Sequence, residues 1–384
     1  MKQENNPMLR LNEFGQSPWC DQLSRQLLTT GQLAQLVTEQ GVVGLTSNPT
    51  IFQKALAAGD WYDGQIREAA SRGLDAEAIY EELAVRDIRA VADLLKPVYE
   101  VSDRRDGYVS LEVSPTLAED TEGSIDEGRR LWAAVDRPNL MVKIPGTAAG
   151  LPAITALLAE GINVNVTLLF GLQRYREVLE AYSEGLSQAR ANQFDLAEIA
   201  SVASFFVSRV DTLVDGQLAS LAANAGDPGV RARLLELKGK AAIANARIAY
   251  ATWQARLDTD ALPAGARPQR LLWASTSAKN PAYRDVLYVE ELVGAETVTT
   301  LPLETIAAFA DHGQVRGATL SDAVELAASR AALEALAEAG IDLQVVAEEL
   351  EAVGVRMFAE SFAQLVEGVA TKTRALLVGG SAGV

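Results

Sequence analysis

Short apolar runs alternate with longer amphipathic stretches along most of the chain. The runs are rich in β-branched residues and lie at 17–20, 42–46, 108–114, 140–145, 162–169, 199–207, 270–276 and 296–302. Runs of this length that alternate with helical patterns predict βαβ units and therefore a parallel sheet. Eight such units favour an α/β fold of the closed (β/α)8 type, the TIM barrel.

The spacing of the runs is uneven, which predicts helices beyond the simple crossovers. We expect one barrel domain over residues 1–384, with helical insertions at about 51–107 and 215–269. The apolar spacing after the last run predicts C-terminal helices over about 304–377. The alternative is an open doubly wound sheet, which would need a glycine-rich phosphate loop after the first strand. That position reads DQLSRQ, which disfavours the alternative.

The composition is that of an ordinary globular protein, with 48% hydrophobic and 22% charged residues. The polar N-terminus resembles no secretory signal, and no apolar run is long enough to span a bilayer. The one cysteine, Cys20, rules out an intrachain disulfide and fits a reducing cytoplasm. A net charge of −17 argues against nucleic acid and anionic membranes as partners.

The supply of metal-binding and nucleophilic side chains is also small. One cysteine and one histidine, His312, nearly exclude a zinc site of the usual kind. A Ser-His-Asp mechanism would have to use His312, whose surroundings do not resemble a nucleophile elbow. We therefore expect no metal site. The chain also has no GxGxxG or GxxxxGK[ST] motif after its first strand, and we expect no cofactor.

Polar side chains recur where the predicted strands end, which is where barrel enzymes carry their catalytic groups. They include Asp21, Asn48, Glu112, Lys143, Asn165, Thr167, Ser204 and Lys279. Alternate residues of a strand share a face, so Asn165 and Thr167 lie together, as do Ser204 and Phe206. The same alternation points Lys143 inward. Arg209 does not share the alternation of Ser204 and Phe206, so we expect it in the loop above the barrel.

Lys143 stands in the apolar stretch LMVKIPGT. Burial disfavours the charged form of an amine, and a neutral lysine amine attacks carbonyls to form a Schiff base. Such chemistry needs a carboxylate to move protons, and the candidates are Glu112 and Asp21. Each residue taken singly has a plainer explanation: a lysine reaching water, an ion-pair partner, and a helix N-cap. Only the combined pattern favours a catalytic site.

Six stretches in order resemble transaldolase, in its longer bacterial form, a member of the class I Schiff-base aldolases. They are GLTSNPTIF, SLEVSP, LMVKIPGT, GINVNVTLLF, SVASFFVSRVD and LLWASTSAKNPAYRDVLYVEELVG. The resemblance implies transfer of a dihydroxyacetone unit in the non-oxidative pentose phosphate pathway. The donor would be sedoheptulose 7-phosphate or fructose 6-phosphate, and the acceptor glyceraldehyde 3-phosphate or erythrose 4-phosphate.

The resemblance also implies roles for individual residues. Lys143 would form the Schiff base, Glu112 would relay protons through a water held by Thr167, and Asp21 would assist C–C cleavage. The substrate hydroxyls would be held by Asn48, Asn165 and Ser204, with Phe206 as an aromatic wall and Arg209 on the phosphate. Short family members have an arginine after the seventh strand, where this chain has Lys279 within ASTSAKN.

Two other functions remain open at this point. A simple aldolase would use the same lysine, although family members of that kind are shorter and tend to carry glutamine where Glu112 stands. A non-catalytic barrel would bind sugar phosphates without a covalent adduct. In each case the expected partners are sugar phosphates, and the expected state is a monomer or homodimer.

Overall fold

A curled sheet of seven parallel strands forms the centre of the molecule, as seen in a computed structural model that describes residues 6–259 and 262–380. In sheet order the strands run β1-β7-β6-β5-β4-β3-β2. They are β1 (Gln16–Cys20), β2 (Val109–Glu112), β3 (Leu140–Pro145), β4 (Val164–Leu169), β5 (Ser201–Phe206), β6 (Arg270–Ala274) and β7 (Thr297–Leu301). The predicted parallel α/β sheet is confirmed.

The segment predicted as the second strand, 42–46, is not a regular strand. Leu45 forms only isolated bridges, to Cys20 of β1 on one side and Val109 of β2 on the other. Gly44 faces the indole of Trp19, where a Cβ atom would collide with the ring. Backbone hydrogen bonds also join the segment to its neighbours, because Val43 donates to Pro18 and Gly107 donates to Val43. The segment nevertheless connects the two edge strands of the sheet.

Sixteen α-helices lie in the described part of the chain. Before β4 these are α1 (Pro7–Glu13), α2 (Arg25–Thr29), α3 (Gln32–Gln40), α4 (Pro49–Ala57), α5 (Asp63–Ser71), α6 (Ala76–Val101), α7 (Thr121–Val135) and α8 (Gly150–Ala159). After it come α9 (Leu172–Ala191), α10 (Ser208–Asn224), α11 (Pro228–Glu236), α12 (Ala241–Thr259), α13 (Leu287–Glu291), α14 (Leu303–His312), α15 (Ala323–Glu338) and α16 (Leu343–Gly380). None of the helices described there has the length and apolarity needed to cross a membrane.

The N-caps of α2 and α4 lie in the loops that contain the predicted site residues Asp21 and Asn48. Ser24, not Asp21, is the N-cap of α2, and its hydroxyl accepts from the backbone N–H of Leu27 at 3.0 Å. The N-cap explanation of Asp21 is therefore wrong, because the helix begins four residues later. Asn48 is the N-cap of α4, with Pro49 at the first helical position.

Strand register aligns three of the predicted site residues. Glu112 of β2 lies opposite Lys143 of β3, and Lys143 lies opposite Asn165 of β4. Residues opposite one another in neighbouring strands point to the same face of a sheet. The register therefore places a carboxylate, an amine and an amide in one row.

The long C-terminal helix α16 covers the carboxyl ends of the strands. Gly354 lets it approach Leu168 at the end of β4, where a Cβ atom at 354 would lie 2.9 Å from the leucine side chain. Ser361 shares a hydrogen bond of 2.9 Å with Thr50 of α4. Lys372 pairs with Asp63 of α5 at 2.9 Å. These contacts fix α16 across the end of the sheet where the polar strand ends lie.

Two carboxylates of α10 join the start of α12 to the segment between β6 and β7. Asp211 accepts hydrogen bonds from the backbone N–H of Ala242 at 2.8 Å and from the hydroxyl of Tyr288 at 2.9 Å. Asp215 accepts from the backbone N–H of Gly239 at 2.9 Å and from the hydroxyl of Tyr283. Burial raises the pKa of Asp211 to about 6, and the nearby charge of Asp215 adds to the shift.

This raised pKa predicts a pH-dependent stability for the Asp211→Asn variant. The native state binds the Asp211 proton more tightly than the unfolded chain does, so this group's contribution to stability falls as pH rises from about 4 to about 6. A shift of about two pKa units corresponds to about 3 kcal/mol. The free energy of unfolding of the wild type relative to Asp211→Asn should fall by about that amount across this range.

Urea unfolding of both proteins between pH 4 and pH 7.5 measures this difference. Asparagine keeps the oxygen that accepts from Ala242 but replaces the oxygen that accepts from Tyr288 with a donor. Since that loss does not depend on pH, the pH dependence of the difference reports the ionisation of Asp211. Asp227→Asn is the control, because Asp227 caps α11 from an exposed position. A difference between wild type and Asp211→Asn that does not change with pH would contradict the assignment.

Candidate active site

A cavity of about 390 Å³ opens at the carboxyl end of the sheet. Seven of the ten predicted site residues line it: Asp21, Asn48, Lys143, Ser204, Phe206, Arg209 and Lys279. The other three, Glu112, Asn165 and Thr167, are buried behind the cavity wall. The structure thus brings together side chains from seven of the predicted strand ends, five of which reach the cavity.

Lys143 is inside the protein but within reach of the cavity. Its side chain is 6% exposed, and Nζ donates to the backbone carbonyl of Ser47 at 3.2 Å. The Oε2 atom of Glu112 lies 3.6 Å from Nζ. The expectation that Lys143 points inward is confirmed, and the alternative of a lysine that extends to bulk water is wrong. An amine held in this way can meet a carbonyl that enters the cavity.

Glu112 and Thr167 each have unused hydrogen-bonding capacity. Neither carboxylate oxygen of Glu112, nor the hydroxyl of Thr167, has a hydrogen-bond partner in the described part of the chain. Burial raises the pKa of Glu112, and the nearby Lys143 charge opposes that shift. Buried polar groups without partners are costly, so such groups commonly bind an ordered water. The two residues have the chemistry to hold a water beside the amine.

Asn165 fixes the side chains around it rather than lining the cavity. Its amide nitrogen donates to the hydroxyl of Ser110 at 2.9 Å, and its oxygen accepts from the hydroxyl of Ser204 at 2.7 Å. These bonds connect β2, β4 and β5 on the inner face of the curled sheet. Ser204 itself lines the cavity, so Asn165 contacts the cavity wall through Ser204.

Asp21 lies directly after β1 and faces the cavity. Thr46 donates to its Oδ1 at 2.6 Å, and the hydroxyl of Thr46 is also 2.7 Å from that of Thr300. Burial raises the pKa of Asp21, while the Thr46 hydrogen bond and the Lys143 charge oppose the shift. A carboxylate with a raised pKa is a stronger base, which suits proton transfer near neutral pH.

Arg209 lies in the first turn of α10. The alternation of residues along the preceding strand had predicted a loop position, and that prediction is wrong. Strand β5 ends at Phe206, and the helix begins at Ser208, so no loop separates the two elements. The guanidinium carbon is 5.6 Å from the centroid of Phe206 and 5.9 Å from that of Phe358. Burial lowers the pKa of Arg209.

Lys279 and Lys54 join Arg209 in the cavity wall. Lys279 donates to the hydroxyl of Ser277 at 2.7 Å, and its pKa is lowered by burial and by the charge of Arg209. Within residues 6–259 and 262–380, none of these three cations forms an ion pair with a carboxylate. Unpaired cations in a protein of net charge −17 indicate a site for an anionic group.

Several lining residues were not singled out by the sequence pattern. Lys54 is four residues after Thr50 on α4, so the helical period that follows the Asn48 cap could have placed both on one face. Met357, Phe358 and Ser361 come from α16. No local signal locates them, because an apolar helical stripe indicates burial without indicating the partner surface.

A buried lysine among carboxylates at the carboxyl ends of parallel strands defines an enzyme site suited to carbonyl chemistry. Comparison with known proteins agrees. Residues 18–369 match the family model described as transaldolase/fructose-6-phosphate aldolase. The chain therefore belongs to this family.

Curated relatives match the chain over nearly its whole length. A protein named transaldolase from Thermobifida fusca is 50% identical over 96% of this chain and 99% of its own. One from Saccharopolyspora erythraea is 50% identical over 95% and 97% of the respective chains. One from Mycobacterium tuberculosis is 48% identical over 96% and 97%. The resemblance detected in the six sequence stretches is confirmed.

Proposed function

We propose that this protein is a transaldolase. It transfers a dihydroxyacetone unit from sedoheptulose 7-phosphate or fructose 6-phosphate to glyceraldehyde 3-phosphate or erythrose 4-phosphate, within the non-oxidative pentose phosphate pathway. The observation that carries the proposal is the placement of Lys143, buried 3.6 Å from Glu112 and open to a cavity lined by unpaired cations. The family and the names of the relatives support it.

The first half of the reaction attaches the donor to the enzyme. The Lys143 amine attacks the C2 carbonyl of the ketose phosphate, and a C–N bond forms to give a carbinolamine. The C2 hydroxyl then leaves as water after accepting a proton, and a protonated Schiff base remains. Glu112 supplies and recovers protons through a water held with Thr167, which is consistent with their unpartnered oxygens.

The second half breaks and remakes a carbon–carbon bond. Asp21 takes the proton of the C4 hydroxyl as the C3–C4 bond breaks, and the electron pair moves into the Schiff base. The aldose phosphate leaves, while Asn48 and Ser204, both in the cavity wall, hold the three-carbon unit. An acceptor aldehyde then enters, and the same steps run in reverse. Asn165 supports this site by accepting from Ser204.

The cationic end of the cavity binds the substrate phosphate. Arg209 supplies a planar fork of donors, and Lys279 adds a point charge. Phe206 forms an apolar wall beside Arg209. No cofactor is needed, because the lysine itself serves as the electron sink once the Schiff base has formed.

We also propose a single closed (β/α)8 domain with α4–α6, α10–α12 and the helices after β7 as additions. The backbone supports closure, because Val43 donates to Pro18 of the edge strand β1, and Leu45 donates to Tyr108, the residue before the other edge strand, β2. The segment 43–46 would then take the place of the eighth strand. The single buried cysteine supports a cytoplasmic location.

Borohydride trapping tests the function directly. The protein is incubated with fructose 6-phosphate, reduced with sodium borohydride, digested and mapped by mass spectrometry. We expect a reduced three-carbon adduct on Lys143. An adduct on another lysine would contradict the assignment of the residue. Binding of the sugar without any adduct would favour a non-catalytic barrel.

Product analysis separates a transaldolase from a simple aldolase. With fructose 6-phosphate alone, a transaldolase retains the three-carbon unit, whereas an aldolase releases free dihydroxyacetone repeatedly. Addition of erythrose 4-phosphate should give sedoheptulose 7-phosphate and turnover. Continuous release of dihydroxyacetone without an acceptor, at the rate of transfer, would make the protein an aldolase.

A further inference from the structure

Arg209 is an unusual cation because it is half-buried and has no carboxylate partner in the described part of the chain. Taking a charged group out of water is costly unless other groups compensate. The protein atoms that approach its guanidinium are two aromatic rings and the sulfur of Met357, 4.0 Å from Nη1. The rings use none of the N–H donors of the guanidinium, and the sulfur, a weak acceptor, takes only one hydrogen bond from Nη1.

The two rings come from distant parts of the chain. Phe206 is the last residue of β5, and Phe358 lies in the middle of α16. Both ring centroids are within about 6 Å of the guanidinium carbon, the range of a favourable cation–π contact. The donors of a guanidinium point outward in its plane, so neighbouring rings can limit its orientation while leaving those donors to a ligand.

Phe358 can hold Arg209 in place because its own position is fixed. Its side chain is buried, and its helix is anchored on either side. Gly354 contacts Leu168 on the preceding turn, and Ser361 bonds to Thr50 on the following turn. Arg209, in contrast, has a long side chain with several rotatable bonds. Without an anionic partner, its orientation depends on the rings.

We propose that Phe358 is a positioning residue that orients Arg209 toward the substrate phosphate, so that α16 completes the phosphate end of the site. The proposal rests on the proposed function, since it assumes a phosphorylated substrate in this cavity. It gives the C-terminal helix a role in substrate affinity, beyond that of covering the barrel. It also predicts an effect that differs between phosphorylated and unphosphorylated substrates.

The test compares the same substitution at two positions of α16. Phe358→Leu removes the ring beside Arg209 but keeps an apolar side chain. Phe362→Leu is the matched control, because Phe362 is also buried and its ring meets Tyr80 at 5.6 Å instead. Phe358→Tyr restores a ring at the first position. Thermal unfolding of all three variants checks that each is folded.

The kinetic readout is the KM for fructose 6-phosphate with erythrose 4-phosphate as acceptor. We expect Phe358→Leu to raise this KM roughly 5- to 30-fold, the scale of a desolvated cation–π contact, with kcat changed less than twofold. Phe362→Leu and Phe358→Tyr should stay within about twofold of wild type. With unphosphorylated fructose as donor and unphosphorylated erythrose as acceptor, neither of which carries a phosphate, Phe358→Leu should match wild type.

Binding of inorganic phosphate, measured by calorimetry, gives a second readout that does not require turnover. Phe358→Leu should bind phosphate more weakly than wild type by a similar factor. Equal effects at both positions, or a loss of kcat without a change in KM, would overturn the proposal. A wild-type protein that binds phosphate but does not turn over would instead count against the proposed function, so the two failures are distinguishable.

Discussion

Replacement of Lys143 by alanine is expected to abolish transfer of the dihydroxyacetone unit. Without the amine no covalent intermediate forms, and removal of a catalytic nucleophile costs roughly 10⁴-fold or more in turnover. The loss should appear in kcat with either ketose phosphate as donor. The borohydride adduct should be absent as well. A steady-state transfer assay and the trapping experiment measure these two outcomes.

The folded state needs its own check in this experiment, because the alanine variant leaves Glu112 without its neighbouring amine. Lys143→Met is the second variant, since methionine fills most of the space of the lysine stem without carrying an amine. Both variants should unfold cooperatively. Lys96→Ala is the control, because Lys96 is an exposed lysine of α6. Wild-type turnover in a folded Lys143→Met protein would refute the mechanism.

Replacement of Glu112 by glutamine is expected to lower kcat by about 10²- to 10⁴-fold, the usual contribution of a general acid–base group. Glutamine has nearly the same shape but cannot exchange protons with a bound water. The KM for the ketose phosphate should change little, because Glu112 does not line the substrate cavity. Adduct formation should be slowed rather than lost. Stopped-flow or quenched trapping measures its rate.

A second buried glutamate provides a matched control for this variant. The pKa of Glu127, on α7, is also raised by burial, and its carboxylate accepts from the backbone N–H of Ser114 at 3.2 Å. Glu127→Gln removes a comparable charge without removing the group beside Lys143. Its kcat should remain within a few-fold of wild type. Equal losses in both variants would mean that the effect is structural and not proton transfer.

Local pattern alone determined the parallel α/β sheet and most of the site. Strands β1 to β7 lie within the predicted runs to within one residue. A strand of this kind is marked by an apolar run that ends in turn residues, and this pattern can be recognised from residues adjacent in sequence. Alternation along β3 also determined that Lys143 points inward. The polar strand ends therefore identified seven residues that the cavity brings together.

Contacts between residues far apart in sequence decided the remaining features. The row of Glu112, Lys143 and Asn165 depends on strand register, which is set by hydrogen bonds between strands. The pairing of Leu45 depends on its bridges to Cys20 and Val109, which belong to two different strands. Neither requirement appears in the period of a single element.

The clearest division between sequence and tertiary structure lies at the phosphate end of the site. The sequence determined that Arg209 is present after β5 and that α16 has a buried apolar face. Only the fold decided that Arg209 belongs to a helix and that Phe358 meets it, 149 residues later in the chain. An amphipathic helix must bury its apolar face, but where it docks depends on the shape of the whole surface beneath it.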